Sequence, residues 1–158
     1  MTFPAKLQRA VLPDFLAAFR RLEPDAPGRW GGLDASSMLA HLTAALELSL
    51  GERETRALVP AWIGRPAGWL AMHVFPRWPR GRKGSTPPLP HLFPAPQAFD
   101  AQREHLEAAL ERFVDRLERE PEARATNPLM GDVSMRTWSR LHALHCRHHL
   151  RQFGALSG

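Results

Sequence analysis

Tyrosine is absent from this chain of 158 residues, lysine occurs only at Lys6 and Lys83, and cysteine only at Cys146. A single cysteine excludes an internal disulfide and a cysteine-rich zinc site. With lysine so scarce, the 21 basic residues are nearly all arginine, beside 15 prolines. That bias is consistent with a GC-rich genome, and it weakens the inference from a pI near 10.9 to nucleic acid. Charge by segment points the same way. Residues 61–90 hold five basic and no acidic residues, and 126–158 carry a net +3. Residues 1–60 are neutral and 91–125 carry a net −3. No helix bears the continuous basic stripe that tracks phosphates, so no nucleic-acid partner is expected.

A long hydrophobic run is missing too. The longest, Pro66 to Pro76, contains His73 and falls well short of the ~20 residues that span a bilayer. The N-terminal stretch is broken by Pro13, Asp14, Arg20 and Arg21 and has no small-residue cleavage site. No membrane association and a cytoplasmic location are therefore expected. The length suits one domain over residues 1–158, and an apolar content of 44% is enough for a core.

Four segments carry helical periodicity, and none alternates as a strand. The first runs from about Ala5 to Leu22, with Pro13 expected to break or kink it near the middle. The second starts after Asp34 or Ser36, both good caps, and stops at Gly51. The third is capped by Asp100, carries the stripe Leu106, Leu110, Phe113, Leu117, and ends before Pro121. The fourth runs from a Ser134 cap through Phe153 and stops at Gly154. These predict an all-α, up-and-down four-helix bundle. A long Pro-rich crossover over about 60–98 separates the second and third helices, with a short extra helix in its first part, around Trp62 and Trp69. A long loop in a compact domain is usually functional or a packed covering.

Eight histidines are many for this length, and four fall in the run LHALHCRHHL. At about 100° per residue, Trp138, His142, His145, His149 and Gln152 share one sector of the last helix. His145 and His149 are one turn apart, close enough for two imidazoles to lean onto one ion. His142 has the angle but lies about 10 Å along the axis from His149, so all three cannot share an ion. A third ligand must come from another helix, and His41 is the best placed. Its helix is apolar nearly all round, and Ala44 and Ala45 leave room beside it. The plain alternatives are a hydrogen-bonded core histidine at 41 and a solvated histidine face on the last helix. His105 is opposite the leucine stripe and is expected to be exposed. His73 and His91 lie in the crossover, and Cys146 reads as a small core thiol. Glu47 sits about 120° around its helix from His41 and is not assigned as a base.

At these residues the sequence resembles the DinB-like superfamily of metal-binding four-helix bundles, closest to an uncharacterised branch of it. The match runs through Leu22, Pro24, Asp25, Trp30 and Gly31, then Met38-Leu39-Ala40-His41. It continues through Thr86-Pro87-Pro88, Pro128, Gly131 and Trp138 to the ending His145-x-x-His148-His149-Leu150-x-Gln152-Phe153-Gly154, its most specific part. The resemblance implies a divalent ion, zinc or nickel, on His41, His145 and His149, and a homodimer. It also implies chemistry on a small-molecule substrate: thiol-dependent S-transfer, isomerisation or hydrolysis. One departure is visible, Asn127 where relatives often have histidine.

Such a site leaves a coordination position for water or thiolate. Gln152 is the candidate hydrogen-bonding support, and His142 or His148 the candidate proton carrier. Arg77, Arg80, Arg82 and Lys83, near Trp69 and Trp78, are candidates for recruiting an anionic cosubstrate such as a low-molecular-weight thiol. A solvated loop is the alternative for that group. Two other functions fit the sequence: a non-catalytic metal-binding scaffold, stress-related or otherwise, and a basic nucleic-acid or membrane-surface adaptor using residues 65–83.

Overall fold

The structure, a computed structural model, describes residues 4–73, 80 and 90–156. Most of the described chain is helical. A 3-10 turn at Arg9–Val11 leads into α1 (Leu12–Arg20). Pro13 lies in the first turn of α1. There its missing N–H costs nothing and its fixed φ suits the helix, so it starts the helix instead of kinking it. α1 is thus shorter than the periodicity predicts. Arg9 reaches Glu111, Asp115 and Glu118 across the surface. Leu7 exchanges bonds with Ser139, its N–H donating to the Ser139 carbonyl and its own carbonyl accepting from Ser139 Oγ.

α2 (Ala35–Leu50) begins where Asp34 Oδ1 accepts from the Ser37 N–H at 2.7 Å and ends on Gly51 at φ 74°. Both are the residues that the sequence marks. α3 (Ala61–His73) is the extra helix of the crossover. α4 (Phe99–Arg119) has Ala98, not Asp100, at its cap. Asp100 lies in the first turn, where a carboxylate still favours the helix dipole, and it holds Arg103 at 2.8 Å. α5 (Met135–Gln152) starts on Ser134, whose hydroxyl oxygen accepts from the Thr137 N–H.

The all-α expectation needs one correction. Strands β1 (Arg124–Asn127) and β2 (Gly131–Ser134) form an antiparallel hairpin in which Arg124 pairs with Ser134 and Asn127 with Gly131. Four-residue strands are too short for a period of two to stand out, and the hairpin rests on its turn. Asn127 Oδ1 accepts from the N–H groups of both Leu129 and Met130, and Gly131 takes φ 70°. α2 packs against α4 and α5, and α1 against α4. The interior they share holds Phe15, Phe19, Leu39, Leu46, Leu110, Phe113 and Trp138. Full burial of each such Leu or Phe contributes roughly 1.5–3 kcal/mol. Among the described residues, no helix is long and apolar enough to cross a membrane.

Candidate metal centre

α2 is buried on almost every side, and His41 on it is 8% exposed. α5 presents His145 and His149 from successive turns toward the same point, both buried. His41 Nε2 lies 2.9 Å from His145 Nε2, and His149 Nε2 lies 3.1 Å from it. All three ligand atoms fall within 4.8 Å of one another. Nitrogens bound to one tetrahedral ion at ~2.1 Å would be ~3.4 Å apart, so small ring rotations separate this arrangement from a coordinating one.

The outer ring nitrogens fix the tautomers. His41 Nδ1 lies 2.7 Å from the Leu92 carbonyl oxygen, which only accepts, so His41 donates there and leaves Nε2 bare. On α5, Gln152 Nε2 donates to the Trp30 carbonyl at 2.5 Å, which turns Gln152 Oε1 toward His149 Nδ1 at 2.7 Å. His149 therefore also keeps its proton on Nδ1. Two bare Nε2 lone pairs thus face His145 Nε2, which has at most one proton to share. At least one of the two short contacts sets lone pair against lone pair, and a cation at the centre would relieve both.

Protonation offers no relief, because burial opposes it. Burial holds His41 below the ordinary imidazole range. Burial first, then the neighbouring imidazoles, push His145 and His149 well below it. Neutral imidazole is the form that ligates metals. Three buried neutral histidines whose donors converge form a group able to hold a divalent ion.

A family model described as protein of unknown function (DUF1569) matches residues 1–155. The chain belongs to that family. No curated protein and no solved structure matches it. In this DUF1569 chain the surroundings of the triad come from two segments outside α2 and α5. The loop after α1 supplies the Trp30 carbonyl, and Gly31 at φ 73° passes so close that an added Cβ would sit 2.8 Å from Gln152 Nε2. The segment after the crossover supplies Leu92 and Phe93, whose ring stacks on His41 at 4.2 Å and 5°. Sequence reasoning missed both of these residues. A backbone carbonyl leaves no mark in a sequence, and one phenylalanine in a Pro-rich stretch has no periodic context.

The other candidates are dispersed. His142 is not at the triad. Because Ser49 Oγ–H donates to the Leu46 carbonyl, His142 Nε2 donates to Ser49 Oγ at 2.9 Å. Its ring stacks on Trp138 and meets Phe113 edge-on. Burial pushes it down to about 3, which removes it as a proton carrier near neutrality. His148 lies beside the triad, its ring 5.0 Å from that of His149. It accepts a long bond from Trp30 Nε1–H at 3.5 Å. Burial, then the neighbouring His41 imidazole and the Arg151 and Arg80 guanidiniums, lower it to about 4, so it too is neutral at pH 7.

Arg80 lies over the Trp30 ring at 4.8 Å, whereas Arg77, Arg82 and Lys83 are outside the described residues, as are Trp78 and the Thr86-Pro87-Pro88 turn. His105, expected to be exposed, is half-buried against Glu47 at 3.5 Å because α4 packs along α2. Glu47 itself is held by Arg53, away from the triad. His73 accepts from Arg140, and His91 is exposed. Cys146 is a buried thiol that burial pushes up to about 12. Asn127 builds the hairpin turn.

Proposed function

We propose that this DUF1569 member is a metal-dependent enzyme acting on a small molecule, with His41, His145 and His149 holding one divalent ion, zinc or nickel. The observation that carries the reading is the pair of bare Nε2 atoms, fixed by Leu92 and Gln152, that meet at His145. The resemblance to DinB-like metal-binding bundles supports it. An up-and-down bundle of α1, α2, α4 and α5 in a homodimer belongs to the same reading. A bound ion with three protein ligands keeps a free position, at which it acidifies water or holds a thiol as thiolate.

The chain's own residues hold the donors in place. The Leu92 carbonyl and the Gln152 amide orient two rings and enrich their ligating nitrogens in electron density. Phe93 covers the outer face of His41 and excludes water from it. The reaction class that suits this site is transfer of a low-molecular-weight thiol, or hydrolysis. A non-catalytic metal scaffold is the second reading, favoured by the engagement of Glu47 with Arg53 and His105, which leaves it unavailable as a general base.

Metal analysis of untagged protein tests the site. Near one equivalent of zinc or nickel, lost in His41→Ala and in His149→Ala, is expected, and metal-free wild-type protein overturns the proposal. Metal-dependent turnover of an electrophile panel with excess thiol then supports the enzyme, and its absence from the metal-loaded protein supports the scaffold.

A further inference from the structure

A cavity of about 690 Å³ opens between α3, the hairpin and the first two turns of α5, and none of the three triad histidines lines it. Its size is that of a small-metabolite pocket. Lys6, Arg65, Arg124, Arg136 and Arg140 all line it, and no aspartate or glutamate does among the described residues. Among the described residues, only Arg136 of these five has a carboxylate partner, Glu122 at 2.6 Å. Arg65 and Arg124 both donate to the Asp132 backbone carbonyl, while the Asp132 carboxylate turns to the Thr126 hydroxyl. Arg140 donates to a ring nitrogen, His73 Nε2, at 2.7 Å. Guanidinium groups spent on neutral acceptors keep their full charge and further N–H groups to offer. Five cations around one cavity with no carboxylate among its described lining favour an anion there.

The wall beside them is flat and apolar. Trp69 lines the cavity, is 56% exposed, and stacks with His73 at 4.8 Å and 17°. An indole face next to forked donors fits a flat ring that carries an oxyanion. Arg140 precedes His145 by five residues on α5, about 7.5 Å along the axis and 140° around it, so this cavity and the triad are reached from different sides.

We propose that this cavity binds a small planar molecule bearing a phosphate or carboxylate group, with Arg65, Arg124, Arg140 and Lys6 holding the oxyanion and Trp69 the ring.

Calorimetric titration of the full chain at low salt tests this, with phenyl phosphate, benzoate and inorganic phosphate as probes. Saturable binding of phenyl phosphate or benzoate is expected, and the tighter of the two identifies the head group. Arg65→Gln/Arg140→Gln should weaken it at least tenfold. Lys6→Gln, outside any helix or strand, should weaken it severalfold and serves if the double variant fails to fold. Trp69→Ala should weaken the aryl probe about fivefold and leave inorganic phosphate unchanged. Binding should persist in His41→Ala, whatever the fate of the metal proposal. No saturable binding of either aryl probe up to 10 mM overturns the inference. So does loss of binding in His41→Ala, or an equal loss in Arg20→Gln, which does not line the cavity and pairs with Glu107.

Discussion

Gln152 joins α5 to the loop after α1 through one amide, accepting from His149 on its own helix and donating to the carbonyl of Trp30. Gln152→Leu frees His149 to rotate and to shift its proton. Zinc affinity should then fall 10–100-fold in competition with a chelator, the usual effect of losing a ligand's hydrogen-bond partner. His142 makes a different prediction, about acid. Its folded value of about 3 lies below the 6.5 of an unfolded histidine. Below pH 6.5 the unfolded chain therefore binds a proton that the folded chain refuses. Stability is complete above that point and falls by up to about 1.4 kcal/mol per pH unit as pH drops toward 3. Denaturant titrations of metal-free protein between pH 7 and 5 should show this slope reduced by about one proton in His142→Gln, which can still donate to Ser49. Helical phase alone was enough to group His145 with His149 and to separate His142 by its rise. It could not reveal that Ser49, Leu46, Trp138 and Phe113 would occupy His142, because those contacts depend on how helices pack.

Among the elements, what was legible depended on single residues that end or begin a structure. Asp34, Gly51 and Ser134 each mark a boundary because each satisfies helix-end groups that no neighbour can. The hairpin carries a weaker signal: its strands are too short for a period, and its turn rests on the Asn127 side chain and on Gly131 at φ 70°. Asn127→Ala leaves the N–H groups of Leu129 and Met130 without their acceptor, and Met130 is buried. A loss of about 1–3 kcal/mol is expected in chemical denaturation, with Asn127→Asp recovering most of it. The loop after α1 is as exacting. Gly31→Ala places a side chain at φ 73° and against Gln152. It should lose about 1–3 kcal/mol from backbone strain. Zinc affinity should fall in parallel, because the displaced amide is the one that orients His149.

For the whole molecule, a metal bound only by the folded chain adds stability by mass action. Free zinc at 100 times its dissociation constant should add about 2.7 kcal/mol, a rise of roughly 5–10 °C in Tm for a chain of this size. A chelator should reverse the rise, and His41→Ala should show none. The helical character and the core stripe were legible because burial repeats every three to four residues. The placement of α3 and of the segment around Leu92 was not, because proline-rich chain has no period. His41 and His145 stand 104 residues apart. At ribosomal speeds of about 5–20 residues per second, that gap takes roughly 5–20 s to synthesise. An emerging polypeptide therefore holds only one of the three imidazoles throughout that interval, so an ion held as proposed would load only after the fold is complete, and its loading would report that completion.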